Sequence, residues 1–324
     1  MAHMLTVRED RSIVPVATEA ELAHAWQDEH EIVWLDYDQP PDPEQQAFLS
    51  ELFGLGEGAL EHLTQPQGGS RATPFRAYML IVVFDVSSPS AEQTIERREV
   101  VLLFAERYLI SVHHGNTAAL SPVEGHIERS LHRFGVEIGA VVYAILEAIA
   151  DPYLVVLEAV KARVDDLETR ILKREEQEGI GELYQLRRQL IQLRGVIAPE
   201  AALIGLRSGS NPFVANPEIM DALLDVKHKM QRAVDEIDLY LAMLPDILTT
   251  FESLKSDNLN RVVKLLTVWS IILTAVALFP TVLGISLARE PSISPSAGYV
   301  ISIGTMVLVG AVIWYAFKRH GWID

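Results

Sequence analysis

The sequence contains no cysteine, so disulfides and thiolate metal ligands are excluded, a composition that suits a reducing cytoplasm. It is also poor in positive charge: 27 Lys and Arg stand against 44 Asp and Glu, for a net charge of −17 at pH 7. That surplus repels nucleic acid and favours cations, so no nucleic-acid partner is expected. No apolar signal segment stands near the N-terminus, and the first helix expected to enter a membrane is the one at residue 265. Catalytic signatures are missing too: no HExxH, P-loop or Ser-His-Asp arrangement is legible. Phe53-Gly-Leu-Gly-Glu-Gly58 follows a helical pattern and has no Lys or Ser/Thr after it, so it reads as a helix cap and turn. His113-His114 reads as a strand end. The carboxylates Asp165, Asp166 and Glu168, and then Asp235, Glu236 and Asp238, read as solvated helix faces. No enzyme and no resident cofactor are expected.

Charge vanishes altogether over one long stretch. From Leu265 to Ala288 about 24 residues carry none, and a helix of that length crosses a hydrocarbon core of ~30 Å. A second uncharged run, Tyr299 to Phe317, follows a short polar loop. Two adjacent spans make this a multi-pass membrane protein, with the lipid bilayer as a partner. Arg261 and Lys264 precede the first span, Lys318 and Arg319 follow the second, and the loop sets Arg289 beside Glu290. The positive-inside rule then puts both termini in the cytoplasm. Residues from 257 onward carry a net +2, which leaves −19 for residues 1–256, so the acidity belongs to the cytoplasmic portion.

The first span carries a pattern that the second lacks. Thr267, Ser270, Thr274, Ala277, Thr281 and Gly284 recur at spacings of three and four, which is one face of a helix. Small residues let membrane helices approach one another, and a membrane Thr can bond its own helix backbone. Such a stripe therefore either packs against another helix or lines water.

Met1 to Met4 reads as a remnant of cloning (residues 1–4), and His3 is set aside with it. Residues 5–121 form a cytoplasmic α/β domain. Within it Glu31 to Asp36 reads as a strand, Pro43 to Phe53 as a helix opened by Asp42 and closed by Gly54, and Tyr78 to Phe84 as a buried central strand. Val100 to Phe104 and Tyr108 to Val112 form a hairpin. Residues 122–264 form a helical stalk, with helices expected over 123–149, 152–177, 181–208 and 217–288, Pro152 opening the second. The last would run ~100 Å if continuous, bending near Pro245, and needs partner helices to stabilise it. The spans occupy 265–288 and 299–317, with an outer loop at 289–298 and a cytoplasmic tail at 318–324.

Asn260-Arg-Val-Val-Lys-Leu-Leu-Thr267, at the entry to the first span, is similar to the N-E-V-M-K-V-L-T entry of the CorA family of divalent cation channels, which includes ZntB-type zinc transporters. Trp34-Leu-Asp36, Phe53-Gly-Leu55, Leu146 to Tyr153 and Leu186-Arg-Arg-Gln-Leu190 extend that resemblance over nearly the whole chain from about residue 31. It implies an α+β membrane protein built as a funnel-shaped homopentamer in the inner (plasma) membrane: an N-terminal cytoplasmic α/β domain, a long-helix stalk and two C-terminal transmembrane helices. It also implies a pore lined by Asn260, Val263, Leu266, Thr267, Ser270, Thr274, Ala277 and Thr281, carrying Mg²⁺, Zn²⁺, Co²⁺ or Ni²⁺. Rings of hydroxyls can hold a hydrated cation without stripping its shell, which suits an ion that dehydrates reluctantly.

The outer pore mouth departs from the family. Members carry Gly-Met-Asn or Gly-Val-Asn there, and this chain has Gly284-Ile285-Ser286. A Ser ring is wider than an Asn ring and holds an ion more weakly. The regulatory acid that many members place fifteen residues before the entry Lys is Thr249 here, flanked by Asp246 and Glu252, with Asp85 a partner by position alone. Inter-subunit Mg²⁺ regulation is therefore expected to be weak or absent. The alternative function is a paralogue that keeps the fold without selective divalent transport, acting as a membrane regulator or a less selective pore.

Overall fold

The computed structural model describes residues 2–87, 96–115, 117, 123–172, 179–204, 216–287 and 295–322. The chain divides into two compact units, Met1–Pro245 and Asp246–Asp324.

The first unit is built on a seven-stranded sheet of β1 (Ala2–Val7), β2 (Ile13–Val16), β3 (Ile32–Tyr37), β4 (Arg71–Pro74), β5 (Met79–Ser87), β6 (Glu96–Phe104) and β7 (Tyr108–His113). Their order is β2-β1-β3-β7-β6-β5-β4, and every pair is antiparallel except β3 with β7. Ala2, His3 and Met4, set aside above, pair with Tyr37, Asp36 and Leu35. The centre of the sheet is β7, not the β5 run that reads as central, because β5 is followed only by the short edge strand β4. Continuous apolar sequence reports cover on both faces, and β5 has that cover without being central.

Helices α1 (Glu19–Gln27), α2 (Pro43–Phe53) and α3 (Glu57–Thr64) contribute Leu22, Leu49 and Leu63 to a core with Val33, Leu35, Leu80, Leu103 and Ile110. The α2 boundaries follow from its caps. Asp42 accepts from the Glu44 and Gln45 amides while the Gln45 side chain accepts from the Asp42 amide, a reciprocal capping box. Gly54 closes the helix in the left-handed region at φ 68°, and Gly56 caps α3, so the glycine run is the turn between two helices.

Helix α4 (Val123–Phe134) and α5 (Ile138–Leu172) replace the expected break before Pro152. The break falls instead at Gly135, whose φ of +90° few other residues would adopt, and α5 runs straight through Pro152. An interior proline costs about 3 kcal/mol. Ala148, Ile149, Ala150, Tyr153, Val156 and Leu157, buried on both sides of it, more than offset that cost by the apolar area they remove from water. Helix α5 lies against β5 and packs with α6 (Gly179–Ile204), which also meets β4. Arg163 and Arg170 of α5 pair with Glu182 of α6. The acids read as solvated are partly bound: Asp166 pairs with Arg170, and Asp238 takes both arms of Arg194.

Helix α7 (Pro217–Leu287) is helical through Pro245 and is shared by both units. The second unit holds the rest of α7 and α8 (Pro295–Arg319). In it α7 buries Val268 and half-buries Ile272, Ala275 and Val276. Helix α8 half-buries Ser302, Thr305, Met306, Val309, Gly310 and Ile313 on one face. The two stripes meet where a Cβ on Gly310 would lie 3.5 Å from Val276 Cγ2.

Candidate functional site

A helix turns 100° per residue, so Val268, Ile272, Ala275 and Val276 share one side of α7, turned toward α8. Asn260, Val263, Leu266, Thr267, Ser270, Thr274, Ala277 and Thr281 fall on the opposite side, and all eight are exposed. The polar stripe is therefore not the face by which this chain's two apolar helices pack. The three threonines are spaced by seven residues, two turns or about 10 Å apart along the axis.

Their hydroxyls are already committed as donors. Thr267 Oγ1 donates to Val263 O at 2.8 Å, Thr274 Oγ1 to Ser270 O at 2.7 Å, and Thr281 Oγ1 to Ala277 O at 2.7 Å. A hydroxyl has one proton, so each of these oxygens presents only lone pairs to whatever faces the stripe. These three oxygens accept hydrogen bonds from the water around a cation and offer no proton to an anion.

The stripe reaches further than the apolar span. Asp246, Ser253 and Asn260 continue the seven-residue series of Thr267, Thr274 and Thr281, while Thr249, Ser256 and Val263 continue that of Ser270 and Ala277. All of them are exposed. The resemblance singled out some of these positions but not Ser253 or Ser256; the 3.5-residue period would have found them. Asp246 lies on this face, and Glu252 is exposed nearby. Asp85 is 1% exposed in β5, in the other unit. Gly284, Ile285 and Ser286 fall in the last turns of α7, with side chains outside the described residues, as is the loop 288–294.

In the first unit the structure assembles polar groups that no local pattern announced. Trp34 Nε1 donates to Ser111 Oγ at 2.9 Å, and Ser111 Oγ donates to Asp36. His113 sets Nε2 3.2 Å from Asp36 Oδ2 and Nδ1 2.7 Å from Gly115 O. Serine, histidine and aspartate thus do come together, against the expectation from sequence, but Asp36 sits between the other two and Ser111 is fully buried. The Ser111 hydroxyl meets Asp36 rather than the imidazole and is closed off from solvent, so the cluster does not have the order of a nucleophile, base and orienting acid. Both His113 nitrogens face acceptors. Burial opposes a charge on the ring, but the Asp36 carboxylate and the Gly115 carbonyl outweigh it and raise the pKa. Among the described residues no group of three or more His, Asp or Glu is placed to hold a metal ion.

Comparison with known proteins follows the same lines as the geometry. The family described as CorA-like Mg2+ transporter protein matches residues 29–319. The cobalt/magnesium transport protein CorA of Thermotoga maritima is 22% identical over 279 residues, covering 85% of this chain and 79% of that protein. The zinc transport protein ZntB of Klebsiella pneumoniae is 22% identical over 246 residues, covering 75% and 74%. Among solved structures, the complete CorA magnesium transporter from Methanocaldococcus jannaschii superposes with a TM-score of 0.76 at 19% identity, covering 99% of both chains.

Proposed function

Because the chain belongs to the family of CorA-like Mg²⁺ transporter proteins, a family of transporters rather than enzymes, we propose that it carries divalent metal cations across the inner (plasma) membrane. In this reading five copies of α7 surround one pathway and both termini face the cytoplasm. One observation supports it above the others. The side of α7 that holds Val268, Ile272 and Val276 is turned to α8, while the polar stripe on the opposite side is exposed from Asp246 to Thr281, so the stripe is open to copies of itself. Asn260, Thr267, Ser270, Thr274 and Thr281 then contact the hydrated ion, with Val263, Leu266 and Ala277 between them. A net charge of −19 on residues 1–256 concentrates cations at the cytoplasmic end.

The cargo is Mg²⁺ or one of Zn²⁺, Co²⁺ and Ni²⁺, and Gly284-Ile285-Ser286 sets it. Ser286 in place of Asn also favours a second reading, a paralogue with a less selective pore or a regulatory role. Flux into proteoliposomes separates the two, with Mg²⁺, Zn²⁺, Co²⁺ and Ni²⁺ tested against Na⁺, K⁺ and Cl⁻ and with Ser286→Asn alongside. Saturable divalent uptake, raised for Mg²⁺ by Ser286→Asn, is expected. A folded pentamer without divalent flux would establish the paralogue instead.

Regulation by Mg²⁺ between subunits is weak or absent in this reading. Asp246 and Glu252 flank Thr249, where the family's acid is missing, and Asp85 is buried within its own unit. Calorimetry showing stoichiometric Mg²⁺ binding that Asp85→Asn or Asp246→Asn abolishes would overturn it.

A further inference from the structure

Phe84 lies on β5 just past the reach of β4, whose pairing ends at Arg71 opposite Val82. Its amide and carbonyl, which would have met a longer β4, are taken by two side chains instead. The Phe84 amide donates to Glu200 Oε1 at 2.7 Å, and Tyr153 Oη lies 2.6 Å from Phe84 O. Ser70 Oγ donates to the same Glu200 Oε1 at 3.3 Å. Tyr153 Oη lies 2.5 Å from Glu200 Oε2. Tyr153 comes from α5 and Glu200 from α6, and both are buried.

The protons in this cluster can be counted. Tyr153 has one, and its oxygen stands between two acceptors, Phe84 O and Glu200 Oε2. With Glu200 ionised, one of those two contacts is oxygen against oxygen with no hydrogen between. With Glu200 protonated on Oε2, every contact is satisfied: Oε2–H donates to Tyr153 Oη, and Tyr153 O–H donates to Phe84 O. Oε1, which already accepts from Phe84 and Ser70, is the wrong oxygen for that proton.

We propose that Glu200 is a proton-operated clamp: protonated, it closes the Glu200–Tyr153–Phe84 chain that ties α6 and α5 to the edge of β5, and on losing its proton it draws the Tyr153 hydrogen away from Phe84 and loosens that edge. Burial lifts the Glu200 carboxyl to about 7, against the opposing pull of its hydrogen-bond donors, which puts the change in the cytoplasmic range. Among the described residues no cation bears on Glu200. Burial first, then Glu200 and Asp85 of β5, disfavour ionisation of Tyr153, which stays a phenol throughout. Two arginines of neighbouring strands are otherwise placed: Arg71 of β4 lies 3.4 Å from His62 Nδ1, and Arg97 of β6 stands over the Phe84 ring. The clamp makes the cytoplasmic unit responsive to pH through a contact separate from the ion pathway.

The test uses the full chain in lipid nanodiscs. Infrared spectroscopy should show the carbonyl stretch of a buried, protonated acid on the acid side of neutrality, lost with a midpoint near 7 and missing in Glu200→Gln at every pH. Hydrogen exchange of the peptide containing Phe84, corrected for its intrinsic pH dependence, should rise through the same midpoint in the wild type and stay flat in Glu200→Gln. Tyr153→Phe should exchange fast at both ends of the range. An acid band that survives Glu200→Gln, or exchange without a pH transition, would overturn the proposal. If Glu200→Gln fails to fold, a pH transition persisting in Tyr153→Phe would overturn it equally.

Discussion

Helices α5 and α8 are each long and apolar enough to cross a bilayer, with mean hydropathies of 1.8 and 2.1 over their most apolar stretches. Yet 72% of the α5 stretch is buried inside its own unit and 0% of the α8 stretch is. What differs is the company each keeps. Helix α5 meets β5, α4 and α6, and its apolar run is interrupted by Glu147 and Asp151 before passing into Glu158, Lys161 and Arg163. Helix α8 has no charge between Tyr299 and Phe317 and has α7 on one side, so its remaining faces suit hydrocarbon. Hydropathy marks both helices as needing cover; the neighbouring elements decide whether protein or lipid provides it.

The widest gap between the two should come from placing a charge in each. Ile149→Asp buries a carboxylate at a fully enclosed site of α5 and should cost about 4 kcal/mol or more, read as loss of the cooperative melt of the first unit. Val307→Asp, at a position exposed on α8, should leave that melt intact but cost about 3 kcal/mol of membrane insertion, read by carbonate extraction. Equal effects on both readouts would break the distinction.

Titration separates the halves next, because groups with raised pKa values sit in the first unit. Glu200 moves from 4.5 unfolded to about 7 folded, so the folded state binds the extra proton between those values. The Glu200 contribution to stability, about 3 kcal/mol, is full below 4.5 and is lost as pH rises through 7. His113, also raised, acts with the same sign: its contribution is full below 6.5 and is lost as pH rises through its folded value. The melting temperature of the first unit should therefore fall from mildly acid to mildly alkaline pH, with a shallower slope in Glu200→Gln. An unchanged slope would remove Glu200 from the account.

Smaller effects should distinguish the two faces of α7. Val268→Ala, on the buried face, should lower stability by about 1 kcal/mol, read as earlier loss of helix signal on heating in detergent. Thr274→Ala, on the exposed face, should change it by less than about 0.5 kcal/mol and alter ion flux instead. Equal destabilisation would make the stripe a packing face. Gly310→Ala places its methyl at ordinary contact distance from Val276 and should be close to neutral.

Much of the local structure could be read in advance where one short pattern carried the signal. Asp42, Pro43, Gln45 and Gly54 mark both ends of α2, and the Val100–Phe104 and Tyr108–Val112 runs mark their hairpin. The α4–α5 break falls at Gly135 rather than before Pro152 because proline and glycine both end helices, and burial around Pro152 decides between them. Glu200 gave no signal at all: its partners Ser70, Phe84 and Tyr153 lie 130, 116 and 47 residues away.

By itself the sequence determined the helix periods, the caps, the two apolar spans and the polar stripe, because each is set by residues within a few turns of one another. Tertiary structure alone decided that α5 is core, that β7 is the centre of the sheet, that the stripe points away from α8, and that Tyr153 and Glu200 share one proton chain. Those outcomes depend on which distant surfaces exclude water from a group, and the group's own neighbours in sequence do not carry that information.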